Sequence, residues 1–90
     1  MGETLAAETV RNRLPEGWTY EDDHIVRTVD FDSYLDGVDF ATAVAELADE
    51  AFHHPRIVIE FRSVTVEFTS HDVGGVTERD LELAEQVAQL

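Results

Sequence analysis

Three of the four histidines in this chain lie in one short segment, and their side chains could exchange protons with a substrate. His53 and His54 are adjacent and precede Pro55, while His71 follows two strand-like runs. An imidazole has an unperturbed pKa of about 6.5, so it gives or takes a proton near neutral pH. Two or three imidazoles in one cleft supply an acid and a base together, which suits an elimination, a hydration or a tautomerisation. The segment therefore predicts an acid/base site.

Two different roles for the histidines stay open at this point. Histidines at a helix C-terminus can interact with the last carbonyl groups and with the negative end of the helix dipole. Three histidines could also bind zinc, but adjacent ligands point in divergent directions and the chain has no His-Glu-x-x-His spacing. The chain has no cysteine, which excludes a thiolate nucleophile, a disulfide and a cysteine metal site. We therefore expect no metal.

The remaining candidate residues fit structural roles. His24 lies in a charged turn, so we expect a solvated strand residue. Asp80 could orient a histidine or bind a polar substrate, but the run Thr77-Glu78-Arg79-Asp80 also resembles a helix capping box, which accounts for this carboxylate without chemistry. The Gly74-Gly75 pair lacks the context of a phosphate-binding loop, so no nucleotide site is predicted.

The two strand-like runs must bring His71 back to the histidine pair. Residues 56–61 and 64–69 alternate in hydropathy, which predicts two strands. If Arg62-Ser63 is the two-residue turn, Ile59 faces Val66, every apolar residue on that face meets an apolar partner, and His54 faces His71. Cross-strand neighbours have Cβ atoms about 5 Å apart, so this register predicts that the two imidazoles share one site.

The other elements complete the predicted fold. The patterns predict a short helix from Thr4 to about Arg13 with Thr4 as its N-cap, strands over 18–20 and 24–29 joined at 21–23, a helix from Ser33 to about Phe52, and a last helix beginning at Thr77. This order predicts one α+β domain over residues 1–90. The domain would be a two-layer sandwich, with a four-stranded antiparallel sheet (ββαββα plus an N-terminal helix) and the helices packed on one face.

The charge of the chain restricts its partners. The chain has twenty Asp and Glu residues and six basic residues, all of them arginine, so its formal net charge is −14. This field repels polyphosphates and anionic membranes, so we expect neither a nucleic-acid nor a membrane partner. The surplus of acid predicts a surface adapted to high salt, where screening suppresses self-repulsion. The alternative is an acidic protein from an ordinary cytoplasm. The N-terminal segment is acidic and lacks the basic region and apolar core of a signal peptide, so we expect a cytoplasmic protein.

A set of spaced residues resembles the signature of the pterin-4a-carbinolamine dehydratases. The signature runs from an acidic or polar residue through His-His-Pro to an aromatic residue, a histidine and an aspartate, and the matching positions are Asp49, His53-His54-Pro55, Phe61, His71 and Asp80. The spacing agrees throughout, and the one departure is Phe61, where the family has Tyr or Trp. The stretches 14–18 (Leu-Pro-Glu-Gly-Trp) and 75–80 (Gly-Val-Thr-Glu-Arg-Asp) also look like family sequence.

The resemblance implies a reaction and a partner class. The reaction is dehydration of a 4a-hydroxy-tetrahydropterin to the quinonoid dihydropterin, which recycles the pterin after aromatic amino-acid hydroxylation. It implies no metal or organic cofactor, and a homodimer or homotetramer. Two alternatives follow from the same resemblance: a non-catalytic interaction or dimerisation module, as animal members also serve a homeodomain transcription factor, and a dehydratase acting on another pterin.

The resemblance also implies roles for individual residues. By position, His53 and His71 would be the acid/base pair, and His54 would assist or bind the substrate. The substrate-binding or supporting residues would be Asp49, Arg79 and Asp80.

Overall fold

The longest helix, α2 (Tyr34–Ala51), supplies much of the layer that covers the sheet. The computed structural model describes residues 3–90. Ser33 begins α2 as predicted, because its side-chain oxygen accepts a hydrogen bond from the backbone N–H of Asp36 at 3.2 Å. The helix ends at Phe52, which has a left-handed conformation (φ 51°, ψ 47°) and turns the chain toward Pro55. The histidine pair therefore directly follows the helix, as the sequence predicted.

The cap at Ser33 provides a stability test of this assignment. The Ser33→Ala variant is expected to lose about 1 kcal/mol of unfolding free energy, because a backbone N–H in the first turn loses its partner. Ser33→Asn keeps a capping oxygen and is the matched control, with stability close to that of the wild type. Urea unfolding followed by circular dichroism measures both variants. Equal stability of the alanine and asparagine variants would contradict the role of the cap.

The four strands form one antiparallel sheet. Their bounds are β1 (Thr19–Glu21), β2 (His24–Asp30), β3 (Arg56–Glu60) and β4 (Ser63–Phe68), in the spatial order β1-β2-β4-β3. The turn between β1 and β2 is Asp22-Asp23, and both residues have positive φ, as tight two-residue hairpins require. Together with α1 (Ala7–Arg13), α2 and α3 (Glu78–Ala88), the sheet confirms the predicted α+β architecture.

The hydrophobic core lies between the helices and one face of the sheet. Alternate residues of β4 are fully buried at Val64, Val66 and Phe68, as a strand with one buried face requires. α3 contributes Leu81 and Val87, which are also fully buried. Within residues 3–90, no helix has both the length and the apolar character needed to cross a bilayer.

The predicted register of the second hairpin was wrong by two residues. The turn is Phe61-Arg62, and Glu60 pairs with Ser63 where the prediction had Arg62-Ser63 as the turn. A shift of two residues leaves every side chain on its original face, so apolar alternation could not distinguish the two registers. Phe61 consequently lies in the turn, where it is 68% exposed, instead of pairing within the sheet.

The corrected register removes the predicted pairing of His54 with His71. β3 begins at Arg56, which pairs with Glu67, and the same ladder continued toward the helix would bring position 54 opposite Thr69. His71 lies beyond the end of β4. The two histidines therefore do not face each other across a ladder, and any shared site depends on the loop that follows β4.

The first helix begins later than predicted, and Thr4 does not cap it. α1 spans Ala7–Arg13 without a side-chain cap. Residues 4 and 5 instead run beside the segment before α3: the backbone N–H of Leu5 donates to the Val76 carbonyl at 2.8 Å, and the Thr4 side chain packs against Gly75. A Cβ at Gly75 would lie 2.9 Å from Thr4 Cγ2, so a larger residue there would have to displace the Thr4 side chain.

An exposed ion pair joins the end of α1 to the start of α3. The guanidinium of Arg13 donates to both carboxylate oxygens of Glu78. This hydrogen bonding lowers the pKa of Glu78 below its ordinary value, and it raises that of Arg13. Because the folded-state pKa of Glu78 is depressed, any stabilisation from the pair is present above the unfolded-state pKa and is lost as the pH falls through the folded-state value.

Candidate active site

A cleft of about 360 Å³ opens where the end of α2, the end of β4 and the start of α3 meet. All three histidines of the predicted site line it, and so does Arg79. The other lining residues are Phe52, Thr69 and Asp72. The histidines that sequence analysis grouped are thus brought to one cleft, although the register that was used to group them was wrong.

His53 is the buried histidine of this cleft, and it is held from two sides. The residue is 7% exposed, and its Nε2 lies 2.5 Å from Oδ1 of the fully buried Asp80. Its backbone N–H donates to the Ala48 carbonyl at 3.0 Å, and its ring lies nearly parallel to that of Phe68 with 6.2 Å between centroids. Because a carboxylate oxygen only accepts, Nε2 carries the hydrogen of this bond, and the lone pair of a neutral ring is on Nδ1.

Asp80 caps a helix and orients a histidine at the same time. Its Oδ2 accepts hydrogen bonds from the backbone N–H of Thr77 and from the hydroxyl of Ser70, both at 2.8 Å, while Oδ1 is used for His53. The sequence predicted the cap, which is confirmed, and left the histidine contact as an alternative. The structure shows both because the two carboxylate oxygens point to different partners.

His54 and His71 are exposed, unlike His53. Nε2 of His54 lies 3.2 Å from Oδ1 of Asp49, whose side chain is 83% exposed, so this pair is weak and readily exchanged for water or a ligand. The ring of His71 makes no hydrogen bond to the described residues 3–90. Both side chains are therefore free to contact a molecule in the cleft.

His24 lies closer to the site than the sequence predicted. A smaller cavity of about 80 Å³ adjoins the main cleft and is lined by His24, His54, Arg56, Glu67, Thr69 and His71. His24 is half-buried, with Nδ1 2.8 Å from the Asp22 carbonyl. Its neighbours follow from the pairing of β2 with β4, and no sequence pattern indicated which strands of the two hairpins would be adjacent.

Arg79 lines both the main cleft and a third cavity beside α3. Its Nη2 donates to the Phe52 carbonyl at 3.4 Å, a long contact at the C-terminus of α2. The third cavity, of about 140 Å³, is lined by Ala51, His53, Arg79, Glu82, Leu83 and Gln86. Arg79 thus supplies a positive charge beside His53, where the sequence predicted a substrate contact.

The described part of the chain contains no group of three or more His, Asp or Glu side chains arranged to hold a metal ion. One oriented, buried imidazole and two exposed imidazoles line the cleft, and this combination suits proton transfer.

Comparison with known proteins identifies the family. The sequence profile described as pterin 4 alpha carbinolamine dehydratase matches residues 3–90. The chain belongs to the pterin-4a-carbinolamine dehydratase family. A protein of Halobacterium salinarum that is provisionally named a pterin-4-alpha-carbinolamine dehydratase is 52% identical, over 93% of this chain and 92% of its own. A protein of Natronomonas pharaonis with the same provisional name is 47% identical, over 100% of this chain and 98% of its own.

Solved structures show the same fold. A crystal structure described as a transcriptional coactivator/pterin dehydratase from Brucella melitensis superposes with a TM-score of 0.89 at 25% identity, covering 97% of each chain. A pterin dehydratase-like protein, described as a RuBisCO assembly factor in the alpha-carboxysome, superposes with a TM-score of 0.64 at 22% identity, covering 80% of this chain and 83% of its own. The family resemblance drawn from the residue spacing is confirmed.

Proposed function

We propose that this protein dehydrates a 4a-hydroxy-tetrahydropterin to the quinonoid dihydropterin and water by histidine acid/base catalysis. The observation that carries the proposal is the buried bond between His53 Nε2 and Asp80 Oδ1 beside a cleft that His54 and His71 also line. An oriented imidazole with a second imidazole nearby is the equipment that this elimination needs. Membership of the family supplies the substrate class.

The proposed mechanism uses two of the histidines for proton transfer. Nδ1 of His53 takes the proton from N5 of the pterin, and the electrons of the N–H bond form the C4a=N5 double bond. The C4a–O bond breaks at the same time, and His71 protonates the departing hydroxyl so that it leaves as water. Asp80 then faces the imidazolium formed on His53 and stabilises it. The exposed His71 regains a proton from solvent, and the His53 imidazolium releases the proton that it took, which restores both residues.

The remaining site residues bind the substrate in this proposal. His54 and Asp49 form one wall of the cleft, and Arg79 contacts the polar edge of the pterin. We further propose that the enzyme works in the cytoplasm as a homodimer or homotetramer, and that its dehydration is one step in recycling the pterin after aromatic amino-acid hydroxylation. A substrate with a different pterin side chain would use the same proton transfers, so more than one pterin must be assayed.

A non-catalytic role is the alternative to this proposal. The fold also occurs in the protein described as a RuBisCO assembly factor, and the similarity at 22% identity concerns the fold alone. A module that only binds a partner would have no need for a buried carboxylate aimed at a buried histidine. The His53–Asp80 pair therefore favours the enzyme.

The test is an absorbance assay of freshly generated 4a-hydroxy-tetrahydropterins in molar salt, with and without the protein. The wild type is expected to accelerate dehydration, and His71→Ala to lower kcat about tenfold, because water can partly replace an exposed acid. His24→Ala, which removes a histidine that does not line the main cleft, is the matched control and should keep kcat. No acceleration of any pterin by the folded protein would favour the non-catalytic alternative.

A further inference from the structure

We infer that Ser70 is a positioning residue that fixes both members of the acid/base pair, His53 through its side chain and His71 through its backbone. The inference rests on the proposed function for its kinetic consequences, while its structural part can be tested without activity. Ser70 is 1% exposed and does not line the main cleft, so it has no direct route to a substrate.

The side chain of Ser70 determines which oxygen of Asp80 is available to His53. Its hydroxyl donates to Asp80 Oδ2 at 2.8 Å, and its oxygen lies 2.9 Å from the hydroxyl of Thr77. Since its single hydroxyl hydrogen goes to the carboxylate, Ser70 accepts the hydrogen of Thr77. The backbone N–H of Thr77 also donates to Oδ2, so this oxygen accepts two hydrogen bonds of 2.8 Å. The two bonds hold the carboxylate with Oδ1 toward His53.

The hydrogen bonds around Asp80 are buried, so the loss of one donor disturbs the carboxylate more than it would at the surface. Ser70, Thr77 and Asp80 are each at most 1% exposed, so water does not readily replace a missing donor. Without the Ser70 hydroxyl, Oδ2 keeps the Thr77 N–H at 2.8 Å and the long contact of the Thr77 hydroxyl at 3.4 Å, so the carboxylate is less firmly held and can rotate about its last side-chain bond. Nε2 of His53 then loses a fixed acceptor, and the ring can adopt the other tautomer.

The backbone of Ser70 closes the loop that carries His71. Its N–H donates to the Gly75 carbonyl at 2.9 Å, and its own carbonyl accepts from the N–H groups of Val73 at 3.2 Å and Gly74 at 2.9 Å. Gly74 has a φ of 76°, the left-handed conformation that lets the chain return to Ser70. His71 is the next residue along the chain, so its position depends on the same closed loop.

Replacement of the Ser70 hydroxyl tests the side-chain role separately from the backbone role. Ser70→Ala keeps the backbone loop and removes only the donor to Asp80, so we expect kcat to fall about tenfold with KM changed by less than about twofold. Ser70→Thr retains a hydroxyl and is expected to recover most of kcat. The matched control is Ser63→Ala at the start of β4, where the hydroxyl donates to exposed Glu60 at 3.2 Å and no effect on kcat is expected.

The tautomer of His53 provides a readout that does not need activity. In ring-nitrogen NMR spectra recorded where His53 is neutral, the wild type and Ser63→Ala are expected to show Nε2–H. Ser70→Ala should show a mixture of both tautomers. Melting curves of each variant establish that it is folded. A folded Ser70→Ala protein with unchanged kcat and a pure Nε2–H signal would overturn the inference, and so would the same loss of kcat in Ser63→Ala.

The two proposals fail in different ways. If the wild type accelerates no pterin dehydration, the proposed function is wrong, and the tautomer spectra still decide whether Ser70 positions His53. If the wild type is active and Ser70→Ala retains both its rate and its tautomer, the function stands and the positioning role is wrong.

Discussion

The Asp80→Asn variant is expected to lose about a hundredfold in kcat for pterin dehydration, close to the loss on replacing His53 with alanine. Asparagine has the shape of aspartate, and its carbonyl oxygen can still accept from the N–H of Thr77 and from Ser70, as Oδ2 does now. Its NH2 group would then face Nε2 of His53 and donate to it. The imidazole would have to carry its hydrogen on Nδ1, so the nitrogen proposed to take the substrate proton would be a donor.

Asp49→Asn is the matched control, because it makes the same chemical change beside the neighbouring histidine. The Asp49–His54 pair is exposed and 3.2 Å long, whereas the Asp80–His53 pair is buried and 2.5 Å long. We expect Asp49→Asn to raise KM with little effect on kcat, since the proposed role of Asp49 is in binding. Steady-state kinetics of both variants tests the distinction. Equal losses of kcat would contradict the assignment of His53 as the residue that takes the proton.

Much of the fold was predictable because strong local signals agree with the tertiary structure. Ser33 caps α2, Pro55 follows its end, and Asp80 closes a capping box at α3. Each of these signals depends on backbone groups only a few residues away. The predicted Thr4 cap was wrong because tertiary contacts of Thr4 and Leu5 hold that segment extended beside the chain before α3.

Part of the site was not predictable for a physical reason. The hydropathy pattern could not reveal the two-residue error in the β3–β4 register, because both registers put the same side chains in the core. Ser70 gave no signal at all, because a serine after a strand is common and its role depends on a carboxylate in a different element. His24 lies in the cavity beside the main cleft because β2 pairs with β4, and this pairing joins strands from the two hairpins.

The melting temperature is expected to rise by about 10 °C between 0.1 and 2 M KCl. The chain has a net charge of −14, and within residues 3–90 only two of its twenty acidic side chains, Glu67 and Glu78, form ion pairs with arginine, while Asp49 and Asp80 contact histidines. The others repel one another, and this repulsion disfavours the compact state more than the expanded one. The Debye length falls from about 10 Å at 0.1 M salt to about 3 Å at 1 M, so molar salt removes most of the repulsion.

Salt also strengthens hydrophobic burial, so a charge variant is needed to separate the two effects. Glu46 and Glu50 are exposed neighbours one turn apart on α2 and repel each other. Glu50→Lys creates an attractive pair there and lowers the charge from −14 to −12. We expect this variant to melt higher than the wild type in 0.1 M KCl and to gain less from added salt. An equal gain in both proteins would exclude screening as the cause.

The strand order also has a consequence for the time at which the site forms. Each hairpin pairs neighbouring segments, whereas β2 and β4 are far apart in sequence, so their closure is the slow, entropically costly event of folding. Phe68 lies where that closure meets the site: it pairs with Ile25 of the first hairpin, and its ring supports His53. In refolding experiments, catalytic activity should therefore return with the slowest phase, and a chain that has formed only its hairpins and helices should have none.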